Sequence, residues 1–103
     1  MASTLDLLGS KGIKRGDTDI ITYTLTDADT YTWASEVRTS AGTLIAAWTF
    51  TGATSTQITA TMAAAVTTPL VPARYRYDVQ VTIGGIPLTL IEGDVEVTAD
   101  VTA

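Results

Sequence analysis

Residues 73–97 alternate between apolar and polar side chains on both sides of a Gly84-Gly85 pair, and no other stretch restricts the fold so closely. Tyr75, Tyr77, Val79 and Val81 recur at every second position, with Arg74, Arg76, Asp78, Gln80 and Thr82 between them. A period of two places the two sets on opposite faces of a β-strand. Gly84 and Gly85 lie between Ile83 and Ile86, and glycine enters the positive-φ conformations that two-residue hairpin turns require. The segment is predicted to be one long β-hairpin.

The turn fixes the register. Val81 should face Leu88 and Val79 should face Leu90, apolar against apolar. Continued without interruption, the ladder would set Tyr77 against Glu92 and Tyr75 against Asp94, with carboxylates on the buried face. One extra residue near Glu92-Gly93 restores the pattern, since glycine is common at β-bulges. Tyr75 then faces Val95, Arg76 faces Asp94 and Arg74 faces Glu96. Opposite-charge pairs across strands contribute roughly 0.2–1 kcal/mol each. A bulge at Glu92-Gly93 is therefore predicted.

Upstream, Thr18–Thr26 alternates with Ile21, Tyr23 and Leu25 inward, and Asp27-Ala28-Asp29 is a turn. Tyr31–Thr39 is a strand with Tyr31, Trp33, Ser35 and Val37 on one face and Glu36 and Arg38 on the other. Thr43–Thr51 is read as one strand with Leu44, Ala46, Trp48 and Phe50 alternating. Thr56–Met62 is another, with Ile58, Ala60 and Met62 inward. Met62–Thr68 alone has helix-like composition, and its length allows one turn crossing an end of the domain. Pro69 and Pro72 bracket an extended link. Pro87 has no amide to give, so the last strand starts at a sheet edge or turns that position outward. The predicted fold is all-β: an antiparallel immunoglobulin-like β-sandwich of about seven short strands. Residues 1–16 form an N-terminal arm, with a short strand at Thr4–Leu8, and residues 17–103 form the single sandwich domain.

The 103 residues suit one domain. The chain has no cysteine and no histidine, which excludes disulfides, thiolate chemistry and Cys/His zinc sites and fits a reducing cytoplasm. No signal peptide is expected, and no apolar run approaches a membrane span. Threonine fills 21 positions and charged residues only 17%, so the surface is sparsely charged; it reads either as suited to contact with a partner or as that of a threonine-coated β-protein that is simply soluble. Charge is uneven. Lys11, Lys14 and Arg15 against Asp6 leave residues 1–16 at +2, while residues 17–103 stand at −7. The acidic body lacks the basic footprint nucleic-acid binding needs. The basic arm reads in two ways: a solvated tail, or a docking element using Lys11, Lys14, Arg15, Leu5, Leu7 and Leu8 on an acidic neighbour or a second copy. On the docking reading, self-association runs through a sheet edge or the arm. Removing Met1–Arg15 should then weaken assembly and leave the body folded.

No catalytic constellation is visible. Asp27 and Asp29 share a turn without the ligand loop of a calcium site. Glu92, Asp94 and Glu96 read as surface partners of arginines, and the glycines match no phosphate-cradling loop. Trp33 and Trp48 read as core residues or, alternatively, as a platform for stacking sugars.

Three segments together carry a family likeness: Arg15–Thr18 (RGDT) before a Thr-rich strand, Pro72–Val79 (PARYRYDV), and Leu90–Val97 (LIEGDVEV). They resemble the small β-sandwich accessory proteins of tailed-phage virions, such as capsid decoration or cement proteins and the N-terminal domains of baseplate upper proteins. The resemblance covers roughly residues 15–98. The chain lacks the glycine usual before the Arg-Tyr pair and has a short loop after Phe50. The resemblance implies a non-enzymatic virion structural protein without cofactors. It would be assembled in the host bacterial cytoplasm and would bind the major capsid protein, or else tail or baseplate proteins. A tail or baseplate adaptor is the alternative, and a carbohydrate-binding adhesion module a second one.

Overall fold

The computed structural model describes residues 3–99. Its strands are β1 (Ser3–Thr4), β2 (Ile13–Lys14), β3 (Asp19–Thr24), β4 (Thr32–Arg38), β5 (Leu44–Ala46), β6 (Thr49–Thr51), β7 (Gln57–Met62), β8 (Ala73–Ile83) and β9 (Ile86–Thr98). One helical turn, α1 (Ala64–Thr67), crosses from β7 toward β8, as the composition of Met62–Thr68 predicted. The larger sheet runs β1-β9-β8-β4-β5, with β2 also on β9, and the smaller runs β3-β7-β6. The strands from β3 onward have the order of an immunoglobulin-type sandwich, with no strand beside β3 among the described residues. Near the start of β8 the Tyr75 hydroxyl donates to the Val71 carbonyl oxygen at 2.6 Å, the corner bond of such sandwiches.

The core follows the alternation. Val37, Tyr77, Val79, Val95 and Val97 of the larger sheet cluster with Tyr23, Ile58, Ala60 and Met62 of the smaller, and all are buried. Ile21 and Leu25 pack at the margin of this cluster. Thr43–Thr51 departs from its predicted single strand. β5 pairs with β4 in one sheet and β6 with β7 in the other, so the chain changes sheets at Ala47-Trp48. The change is anchored by Trp48. Its backbone N–H donates to Ser35 Oγ at 2.7 Å, its indole N–H donates to Asp19 Oδ2 at 2.8 Å, and its ring meets Tyr77 edge-on at 5.5 Å.

The hairpin needed one correction. Val81 faces Leu88, and Tyr75, Arg76 and Arg74 face Val95, Asp94 and Glu96, as predicted. The register shift, however, lies between Val79 and Gln80. Thr89 faces Gln80 and Ile91 faces Val79, so Leu90 is the extra residue. The ladder is regular from there through Glu92 and Gly93. Gly93 serves another purpose: a Cβ on it would overlap the Leu5 carbonyl group.

That overlap points to the second correction. The segment read as an arm lies in the sandwich as a parallel border to β9. Ser3 faces Ile91, Leu7 faces Val95, and Ile13 and Lys14 face Val97 and Thr98. Leu7 and Ile13 are buried in the core. A regular parallel ladder would bond the Asp94 N–H to the Leu5 carbonyl. Here Asp94 N–H donates to Asp6 Oδ1 at 3.0 Å, and the freed Leu5 carbonyl accepts the Tyr77 hydroxyl at 2.5 Å. Gly93, opposite Tyr77, leaves space for that carbonyl. Deleting residues 1–15 would remove Leu7 and Ile13 from the core, so the body is not expected to remain folded without them.

Gly93→Ala should cost roughly 1–3 kcal/mol, because backbone must move to admit the methyl group. Tyr77→Phe should cost about 1–3 kcal/mol by leaving the Leu5 carbonyl unpaired. Urea denaturation monitored by tryptophan fluorescence reads both. A second expectation concerns alkaline pH. Burial, with the Asp19 charge adding, pushes the Tyr23 hydroxyl up to about 12. The unfolded chain loses this proton first, near pH ~10. Stability should therefore hold below that pH and decline as pH rises toward 12; denaturation curves at successive alkaline pH values check the sign.

Candidate interaction surface

The six residues singled out as a docking element separate once the N-terminal segment is in place. Leu7 is core. Arg15 is a strap: its Nε donates to the Thr68 carbonyl at 2.7 Å, tying the segment to the end of α1. Beside it, Gly16 N–H donates to Thr67 Oγ1 at 3.1 Å, and that hydroxyl donates to the Asp17 carbonyl at 2.7 Å. Leu5, Lys11 and Lys14 stay exposed and Leu8 is half-buried. The two lysines lie on either side of Gly12, whose Cβ position is closed by the Glu96 carbonyl. Glu96 faces Arg74 in register, yet its Oε1 accepts the Gly9 N–H at 2.8 Å, so of the two expected ion pairs only Arg76–Asp94, at 2.8 Å, forms among the described residues.

A second surface was not singled out from the sequence. Val79, Val81 and Ile83 share the inward face of β8, and Leu88 and Ile86 face the last two across the hairpin. Exposure on this one face climbs from 1% at Val81 to 45% at Ile83 and 69% at Ile86. The hairpin outruns its cover, and its core-facing side continues into solvent as Ile83, Ile86 and Leu88. The signal was present in the unbroken apolar alternation up to Ile83-Gly84-Gly85-Ile86, but periodicity marks a face without showing where the opposing layer ends.

The outer face of the larger sheet carries charge. Glu36, Asp78 and Glu92 line up across β4, β8 and β9, with Arg38, Arg76 and Asp94 in the next row. Arg38 pairs with Glu36 through its Nε at 2.6 Å. Asp78 Oδ1 is buried and has no hydrogen-bond partner among the described residues, while Oδ2 receives a long bond from Gln80 Nε2 at 3.4 Å. Burial first, then the Glu36 charge, with Glu92 adding, raises the Asp78 pKa above the ordinary aspartate value. Among the described residues no group of three acidic side chains is arranged to hold a metal ion. The tryptophans do not form a platform. Trp48 is buried, and Trp33 is half-buried against Phe50 at 5.5 Å with its N–H given to the Ala28 carbonyl at 2.9 Å.

No known protein family and no curated protein matches this chain.

Ionising Asp78 opposes folding because its folded pKa exceeds its unfolded value. Stability from this group is complete while it is protonated and falls as pH rises through the folded pKa. Asp78→Asn should therefore stabilise the protein at pH 7, by up to about 1 kcal/mol for relief of like charges across strands. The gain should shrink on acidification and vanish below pH ~4. Paired denaturation curves at pH 4 and pH 7 test this.

Proposed function

We propose that this protein acts by binding alone, as a structural component of a tailed-phage virion, and that it decorates or cements the capsid. The observation that carries the reading is the uncovered hairpin end. Ile83, Ile86 and Leu88 present a contiguous apolar surface on a sparsely charged protein, and such surfaces mark sites of protein contact. The motif likeness over residues 15–98 supports the virion assignment. Exposed Lys11 and Lys14 supply cations suited to an acidic neighbour. A small contact of this kind gains strength when it is repeated over a symmetric lattice.

The test is co-sedimentation of the purified protein with capsids, and separately with tails, of the virion whose genome encodes it. Saturable binding to capsids is expected. Ile86→Asp should weaken it at least ~30-fold, about 2 kcal/mol, while thermal unfolding stays unchanged, because Ile86 contributes little to the core. Binding to tails or baseplates but not to capsids would replace this reading with that of an adaptor. Binding to neither would end it.

A further inference from the structure

The smaller sheet ends in an edge that other free edges of the molecule do not match. β4 pairs with β5 only at Val37 and Arg38 and leaves five residues, 32–36, free on that side; β5 and β6 offer three residues each, β2 and β1 are two residues long and separated by a helical turn, and Pro87 interrupts the free part of β9. β3 offers six residues, Asp19–Thr24, paired on the β7 side only among the described residues. Exposed edges of folded proteins are normally blunted by proline, lysine, bulges or shortness. β3 has none of these, and its one charged residue is Asp19 at its start.

The hydrogen-bonding groups on that edge can be assigned. Leu25 N–H donates to the Thr56 carbonyl at 2.9 Å, in step with the β3–β7 register. Alternation along an antiparallel pair then turns the N–H and C=O groups of Ile21 and Tyr23 toward β7. Those of Ile20, Thr22 and Thr24 point away from the sheet. Beside this edge lies a groove of about 450 Å³ lined mainly by apolar side chains, among them Leu5, Leu25, Trp33 and Ile91. Tyr23 also lines it. That residue is only 8% exposed, and its buried hydroxyl has no hydrogen-bond partner among the described residues. Acidic residues frame the edge as well: exposed Asp17 stands at one end, on a surface it shares with Lys14, and exposed Asp27 and Asp29 lie beyond the other.

We propose that β3 accepts an added strand from another polypeptide: an extended segment with apolar residues at alternate positions and lysine or arginine at its ends. Its backbone bonds the outward groups of Ile20, Thr22 and Thr24, completing the smaller sheet as a fourth strand. Its alternate apolar side chains enter the groove between β3 and β1. Its cations meet the aspartates at the two ends of the edge. This site is separate from the hairpin end and does not depend on where the protein resides.

The probe is a synthetic ten-residue peptide with lysines at both ends and alternating valine and threonine between them, titrated into the ¹⁵N-labelled full chain. Binding should slow hydrogen exchange at the amides of Ile20, Thr22 and Thr24 at least tenfold. Exchange at Ile21 and Tyr23, already bonded to β7, should change little. Replacing the lysines by glutamates should weaken binding at least tenfold at low salt. Thr22→Pro, which removes an outward N–H at an edge position, should also weaken it at least tenfold, and because the wild-type exchange pattern stands by itself, poor folding of this variant would not rescue or sink the result. Absence of binding at millimolar peptide, binding without slowed exchange at those three amides, or equal affinity for the glutamate peptide would overturn the proposal. Protection of the same amides that rises with protein concentration alone would overturn it in favour of a second copy of this chain.

Discussion

The Tyr77 hydroxyl on the Leu5 carbonyl ties the N-terminal segment to the central hairpin, beside the backbone bonds that join that segment to β9. It exists because three choices agree. Gly93 has no side chain where the N-terminal segment crosses β9, Asp6 supplies the acceptor that Asp94 would otherwise take from Leu5, and Tyr77 reaches across the strand to the carbonyl so released. Leaving this part-buried carbonyl without a donor costs up to about 1–3 kcal/mol, which matters to a domain this size. Alongside this contact Leu7 and Ile13 enter the core, and β9 is bordered along part of its free side.

The same ring of Tyr77 carries Trp48 edge-on, and Trp48 is where the chain leaves one sheet for the other. The N-terminal border, the central hairpin and the sheet change thus converge on one aromatic pair. At the opposite extreme of the hairpin no such convergence exists. Beyond Val81 the inward face has no opposing layer among the described residues, and the apolar residues there are free to meet something else. An exposed apolar end of this kind needs only a ladder that extends past its own core.

The course of the N-terminal segment decides which sheet keeps an open edge. By lying along β9 it borders the larger sheet and leaves β3 without a neighbour. The hairpin end offers side chains, whereas β3 offers backbone. A contact at the first is governed by apolar area and a contact at the second by strand register, so substitutions that abolish one should leave the other intact.

Much of this was legible in the residues. Alternation determined which side of each strand is buried, the glycine pair determined the hairpin and its register near the turn, and charge matching determined that Arg76 faces Asp94. These are local properties, carried by period and by a turn of fixed length. Tertiary structure alone decided that the bulge sits at Leu90 and not at Glu92-Gly93, that Thr43–Thr51 divides between sheets, that Glu96 turns from Arg74 to the Gly9 amide, and that residues 3–14 join the fold as a parallel edge. The uncovered hairpin end and the unpaired edge of β3 belong to the same group. Period tells a side chain which way to face, but which strand lies opposite, and how far it extends, is settled by contacts between residues that the sequence places far apart.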